Sequence, residues 1–182
     1  MRLFIAIDIP SEIKQLFERV EQRLKKCDLA AKWVEPKNVH LTLKFLGEVE
    51  EQKIPLIKNA MENTAHQFKS FRVSLENFGF FPAERNPRVF FAGTDKEDIL
   101  RNIYQKIEEE LFTIGFGKEN RFAAHLTLAR FKDKKNIESL KEAIKNISLK
   151  ETFPVGEIIL FKSTLTQRGP IYEEIFKSSL TT

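Results

Sequence analysis

Cysteine is almost missing from this chain of 182 residues: Cys27 stands alone. A single thiol excludes an internal disulfide framework and any multi-cysteine zinc site, and Cys27 reads as a small apolar residue near a helix end. Long hydrophobic runs are missing too, and none approaches the ~20 residues that a membrane-spanning helix needs. The opening stretch Met1 to Asp8 is interrupted by Asp8 and lacks a small-residue cleavage pattern, so no secretory signal is expected and the protein is placed in the cytoplasm. Neither sign of charge dominates. Thirty Lys and Arg against 26 Asp and Glu leave a net charge of +4, a weak pointer toward an anionic partner. With 42% hydrophobic and 31% charged residues, the composition is that of a soluble globular protein.

What is present is periodicity. Residues 2 to 9 read as a buried strand, and Pro10-Ser11 supplies a stop and a helix N-cap. Ile13, Leu16, Phe17, Val20 and Leu24 then form the stripe of an amphipathic helix that ends near Cys27. A strand over 39 to 46 closes at Gly47, and a helix follows with Pro55 in its first turn and Ile57, Ala60, Met61, Thr64, Ala65 and Phe68 on one face. Phe71, Val73 and Leu75 alternate with polar residues as in a half-covered strand. Residues 78 to 87, with Gly79, Pro82, Asn86 and Pro87, form the densest cluster of breakers.

The second half repeats the pattern. A strand over 88 to 92 leads to a helix capped by Asp95, a strand over 123 to 129 leads to a helix bearing Ile137, Leu140, Ile144 and Ile147, and strands follow near 155 to 163 and 171 to 177. The fold expected is α+β: one bilobal domain over 1–182, its two lobes related by a pseudo-twofold axis. Each lobe is an antiparallel sheet with helices on its outer face, and the two flank a central cleft. The lobe boundary falls near 78–87, with strand exchange between lobes as an option. The run Lys132-Asp133-Lys134-Lys135 reads as a solvated helix approach.

Two of the three histidines open the same tetrapeptide, His40-Leu41-Thr42-Leu43 and His125-Leu126-Thr127-Leu128. Side chains alternate along a strand, so each His shares a face with its Thr while the leucines face the helices. A pseudo-twofold axis would set both His/Thr pairs on opposite walls of one cleft. Two histidines and two hydroxyls so placed suit metal-free attack on a phosphodiester. One neutral imidazole accepts a proton from the nucleophile, the other gives one to the leaving oxygen, and the hydroxyls hold the phosphoryl oxygens. A single strand histidine is more often a hydrogen-bonded structural residue; duplication inside apolar strands is what turns the weighting. A metal site is the competing reading of paired histidines, but no His-Glu-x-x-His, Asp-rich loop or cysteine partner accompanies them. No metal or cofactor is expected. His66 reads as a surface residue, Gly115-Phe116-Gly117-Lys118 as a turn, and Asn146-Ile147-Ser148 as a glycosylation pattern that a cytoplasmic protein does not use.

The paired His-x-Thr-x motifs resemble those of the two-histidine phosphoesterase superfamily. Residues 2 to 10, the segment His40 to Gly47 with Phe45-Leu46-Gly47, and His125 to Arg130 together resemble its RNA 2',3'-cyclic phosphodiesterase branch, also called 2'-5' RNA ligase. The resemblance covers the whole chain. It implies hydrolysis of an RNA-terminal 2',3'-cyclic phosphate to a 2'-phosphate, with His40 as proton donor to the leaving O3' and His125 as the base that activates water. The sequence by itself supports the pair and not that division of labour.

Phe45 and Arg130 sit five residues after their histidines, where a ring can stack on a base and a guanidinium can contact phosphate. Phe45 as core is the competing reading. Ser163-Thr164-Leu165 and Gly169-Pro170-Ile171-Tyr172 resemble the family's last hairpin, which makes Tyr172 a further substrate contact. Lys44 departs from the apolar residue of the family pattern. The partners implied are RNA ends carrying 2',3'-cyclic phosphate, tRNA fragments among the candidates, with no membrane and a monomeric chain. Joining cyclic-phosphate and 5'-hydroxyl ends into a 2'-5' linkage would use the same histidines, and a non-catalytic RNA-end binding module is the alternative of another class.

Overall fold

The computed structural model describes residues 1–167 and 169–182. Its strands are β1 (Arg2–Asp8), β2 (Ala31–Trp33), β3 (His40–Glu48), β4 (Phe71–Phe81), β5 (Val89–Thr94), β6 (His125–Phe131), β7 (Thr152–Val155), β8 (Glu157–Thr166) and β9 (Gly169–Ser179). The helices are α1 (Ser11–Leu24), α2 (Ile54–Ala65), α3 (Glu97–Thr113) and α4 (Ile137–Ile144). None is long and apolar enough to cross a membrane.

Among the described residues the strands join one curled sheet in the order β7-β4-β5-β6-β3-β1-β8-β9, with β2 added on β6. At its middle, β3 and β6 run antiparallel and meet through one residue pair, Leu41 with Leu126. One arm, β3-β1-β8-β9, comes from the two ends of the chain, and the other, β6-β5-β4-β7, from its middle.

Alternation sorts the side chains of each arm. Leu3, Ile5 and Ile7 of β1, Leu41 and Leu43 of β3, and Leu126 and Leu128 of β6 join the main core, with Phe17 and Val20 of α1 and Leu100, Ile103 and Ile107 of α3. Fully burying one such side chain stabilises the fold by about 1.5–3 kcal/mol. Phe4, Ala6, Ile159 and Phe161 point the other way and form a second small cluster, against which Tyr172 packs.

Local chemistry departs from the pattern at a few places. Ser11 is the first helical residue of α1 rather than its cap, with Pro10 before it and no side-chain cap bond. Asp95 does not cap α3; its Oδ1 accepts the Ser74 N–H of β4 at 2.6 Å, and the backbone enters α3 through Lys96 in the left-handed region. β4 continues through residues 78 to 81, into the breaker cluster, because Gly79 lies under the Phe91 ring, which comes so close that a Cβ at Gly79 would stand 2.4 Å from its Cζ. The short strands β2 and β7 carry too few residues to show a period and exist through pairing with β6 and β4.

Candidate active site

Because Leu41 stands opposite Leu126 in an antiparallel pair, the continuation of that register sets His40 across from Thr127 and Thr42 across from His125. Each histidine therefore faces the hydroxyl of the other motif. Both rings are held in the same way. His40 Nδ1 lies 2.8 Å from the carbonyl of Asn38, and His125 Nδ1 lies 2.7 Å from the carbonyl of Ala123, in each case two residues upstream. A carbonyl can only accept, so Nδ1 carries the proton and Nε2 keeps its lone pair.

Aromatic walls surround both rings. His40 lies 4.8 Å from Phe4 and edge-on to Tyr172 at 5.3 Å, with Phe161 at 6.3 Å. His125 lies edge-on to Phe81 at 5.0 Å and to Phe91 at 5.5 Å. Burial among these rings lowers both imidazole pKa values, because it strips water from the charged form. The carbonyl bonds oppose the shift in both, and the carboxylate of Asp8, opposite His40 in the β1·β3 register, also raises His40. The charge of His125 acts on His40 and that of Arg130 on His125, each lowering its neighbour.

Strict alternation would put residues 45 and 130 on the leucine face, with Lys44 in the cleft. A matched pair of β-bulges changes this. In β3 the register with β1 slips between Ile5 opposite Lys44 and Ala6 opposite Thr42; in β6 the register with β5 slips between Phe90 opposite Ala129 and Phe91 opposite Thr127. Each bulge buries two successive residues, Leu43 with Lys44 and Leu128 with Ala129, and returns the next one to the cleft. Phe45 and Arg130 are thereby exposed on the histidine side, Phe45 by 57%. They line a cavity of about 230 Å³ together with His40, Thr42, Thr127 and Tyr172. His125 is outside the walls of that cavity.

The same bulge turns Lys44 inward. Its ammonium lies 2.8 Å from Glu108 Oε1 on α3, 3.4 Å from Glu119, and donates to the Gly117 carbonyl at 3.0 Å. Glu108 Oε2 accepts the Glu119 N–H at 2.9 Å, and the Tyr104 hydroxyl donates to the Glu119 carbonyl. Burial, and after it the nearby carboxylates, push the Tyr104 hydroxyl up to about 12. Further along, Glu97 Oε2 accepts the Ala124 N–H at 3.0 Å. The coil between α3 and β6 is thus tied at both ends to groups on α3 and β3, and it delivers His125.

Sequence reasoning missed residues 32 to 38, which close the cavity against the β8–β9 hairpin. Asn38 donates from Nδ2 to the Pro170 carbonyl at 3.1 Å, which ties the chain just before His40 to the β8–β9 hairpin. Lys32 and Pro170 are also in the cavity wall. Lys32 and Asn38 have no signal in the sequence beyond the nearby Pro36, too little to place them, whereas Pro170 belongs to the hairpin expected from the sequence. His66 lies exposed at the end of α2, away from the cleft.

The family model described as LigT like Phosphoesterase matches residues 7–91 and 93–172. A Thermotoga maritima protein named RNA 2',3'-cyclic phosphodiesterase is 36% identical over 182 residues, spanning 97% of this chain and 94% of the relative. Among solved structures, TT0787 of Thermus thermophilus superposes with a TM-score of 0.83 at 28% identity, covering 99% of this chain and 98% of the other. E. coli LigT complexed with 3'-AMP does so with a TM-score of 0.79 at 26% identity, covering 100% and 98%. The duplicated motifs, the curled sheet that sets them face to face and the match along nearly the whole chain agree: this chain belongs to the LigT-like phosphoesterase family.

Proposed function

We propose that this protein hydrolyses RNA-terminal 2',3'-cyclic phosphate to a 2'-phosphomonoester by two-histidine acid/base chemistry that calls for no metal. The observation that carries the reading is the matched pair of imidazoles, each with Nδ1 spent on a backbone carbonyl, Nε2 free, and a threonine of the opposite motif across from it. The name of the Thermotoga maritima relative and the 3'-AMP complex of E. coli LigT support the substrate class.

His125 Nε2 takes a proton from water as its oxygen attacks phosphorus. The P–O3' bond breaks, and His40, entering the step as the imidazolium, passes its Nε2 proton to O3'. The product carries a 2'-phosphate and a 3'-hydroxyl, and transfer of the proton from His125 to His40 restores both groups. Thr42 and Thr127 hold the non-bridging oxygens as charge builds on the phosphoryl group. Burial keeps the resting imidazoles neutral, and the bound phosphate anion favours the charged form of His40 where bulk water no longer does. Phe45 and Tyr172 offer ring faces to the terminal nucleoside, and Arg130 offers a guanidinium to phosphate. The two sheet arms act as lobes of one bilobal domain; residues 78–87 join β4 to β5 within the middle arm instead of dividing the lobes, and β8 and β9 cross back to the first arm. A monomeric, cytoplasmic enzyme acting on RNA ends, tRNA fragments among them, fits the modest positive charge and the single cysteine.

The test is an RNA oligonucleotide ending in 2',3'-cyclic phosphate, incubated in EDTA with the unmutated protein, His40→Ala and His125→Ala. A 2'-phosphate product lost in both variants is expected. An RNA complex without product from the unmutated protein, or turnover that survives either substitution, refutes the mechanism.

A further inference from the structure

Each of the paired histidines donates from Nδ1 to a carbonyl two residues upstream, and that carbonyl belongs to a peptide group whose N–H has a partner of its own. The two partners differ. At His40 the peptide is Asn38–Val39, and the Val39 N–H goes to the neutral Pro36 carbonyl at 3.2 Å. At His125 the peptide is Ala123–Ala124, and the Ala124 N–H goes to Oε2 of Glu97, the first residue of α3, at 3.0 Å. The other oxygen of Glu97, Oε1, accepts from Arg101 one turn along at 2.6 Å, which fixes the carboxylate in place. A continuous chain therefore runs from the Glu97 carboxylate through one peptide group to the imidazole. Groups bonded in series polarise one another, and the partial double bond of the peptide carries the effect from its N–H to its oxygen. An anion on that N–H makes the Ala123 carbonyl a stronger acceptor than the Asn38 carbonyl.

We propose that Glu97 is a positioning residue for His125, acting through the Ala123–Ala124 peptide to keep the ring proton on Nδ1 and to steady the positive charge that forms when Nε2 takes a proton from water. No proton crosses the peptide. A carboxylate bonded directly to the imidazole does the same in serine-histidine-aspartate hydrolases. The asymmetry matches the division of labour in the reaction. His125 begins neutral and gains charge, which a polarised acceptor favours; His40 begins charged and loses its proton, which a neutral acceptor permits. Burial lowers the His125 pKa most and the Ala123 carbonyl opposes it; of the charged groups, Arg130 on β6 lowers it and Glu97 on α3 raises it. His40 lies across from it on β3, and β4 and β5 present the rings of Phe81 and Phe91. The carboxylate near His40, Asp8, stands opposite it in the β1·β3 register and is paired with Lys14 at 2.9 Å.

The inference rests on the hydrolase reading with His125 as base, and ring titrations taken without substrate separate its failure from the failure of that reading. The chain has three histidines, so nitrogen–proton NMR spectra of the rings across pH follow each one, with the exposed His66 as internal reference. Glu97→Gln keeps an oxygen for the Ala124 N–H and removes the charge. It is expected to move the His125 titration down, to leave those of His40 and His66 in place, and to lower kcat on a cyclic-phosphate RNA end about tenfold with KM unchanged. Asp98→Asn removes an exposed carboxylate from the same turn of α3 and is expected to change neither the His125 titration nor kcat. A His125 titration in Glu97→Gln that overlies the original, or a shift of equal size from Asp98→Asn, overturns the proposal, and so does a kcat that Glu97→Gln retains. No turnover by the unmutated protein refutes the hydrolase, and the titrations still decide whether Glu97 acts on His125.

Discussion

Gly79→Ala tests how far the wall of His125 is held from outside the cleft. A Cβ built at Gly79 stands 2.4 Å from Phe91 Cζ and 2.7 Å from Cε2, where carbon atoms pack best at about 3.5–4.0 Å. The Phe91 ring must therefore retreat by about 1 Å. It is stacked on Phe81 at 4.2 Å and stands edge-on to His125 at 5.5 Å, so that displacement reaches the imidazole. Overpacking of this kind costs about 1–3 kcal/mol, or about 2–12 °C in Tm for a domain of this size. A misplacement of about 1 Å at a catalytic group can cost on the order of 10²-fold in rate. If the ring swings to solvent instead, His125 loses part of the apolar wall that lowers its pKa, and its titration moves up. Steady-state turnover of a cyclic-phosphate RNA end across pH, with thermal melts in parallel, reads both outcomes. Gly79→Ala combined with Phe91→Leu removes the clashing atoms and should recover most of the stability. Retention by Gly79→Ala of the original kcat, pH profile and Tm would refute the reasoning.

His40→Ala and His125→Ala should each lower kcat by about 10²–10⁴-fold, with the double variant little worse than the weaker single one and melts close to the original, as both rings are only half-buried. Both histidine pKa values lie below the ordinary 6.5 through burial, so the acid limb of kcat/KM should fall below about pH 6.5; a limb above that value contradicts the buried geometry. The unfolded chain binds protons at these sites that the folded chain does not, so stability should decline as pH drops through about 6.5, and His40→Gln should flatten that decline in urea titrations across pH. Lys44→Met leaves Glu108, a side chain only 6% exposed, without its counter-ion, and should cost about 3–5 kcal/mol, while Lys44→Met with Glu108→Leu recovers most of it; equal denaturant midpoints for the original and the single variant would refute the pair's role.

The parts of the fold carried by period were legible in the sequence. The stripe of α1, the alternation of β3 and β6, and the duplicated tetrapeptide all follow from spacing, and the structure brings the two motifs together across one residue pair. The bulges were not legible. Strict alternation sends Phe45 and Arg130 to the core and Lys44 to the cleft, and only the register slips against β1 and β5 reverse this. An extra residue in a strand leaves no mark in a single sequence unless a glycine sits there. Gly79 misled for the opposite reason, as its role is to let a ring approach the backbone, which a breaker count cannot distinguish from a turn. Lys32 was silent because a three-residue strand has no period.

The arm that carries His40 is made from both ends of the chain, β1 and β3 with β8 and β9. Phe161 and Tyr172, which wall His40, come from the last two of these. During synthesis β4, β5 and β6 can pair around His125, and β1 with β3 around His40, while β8 and β9 are still inside the ribosome. The wall of His40 is completed only when residues 157 to 179 emerge and β8 pairs with β1, so a nascent chain that stalls before that point holds both histidines but leaves His40 without Phe161 and Tyr172.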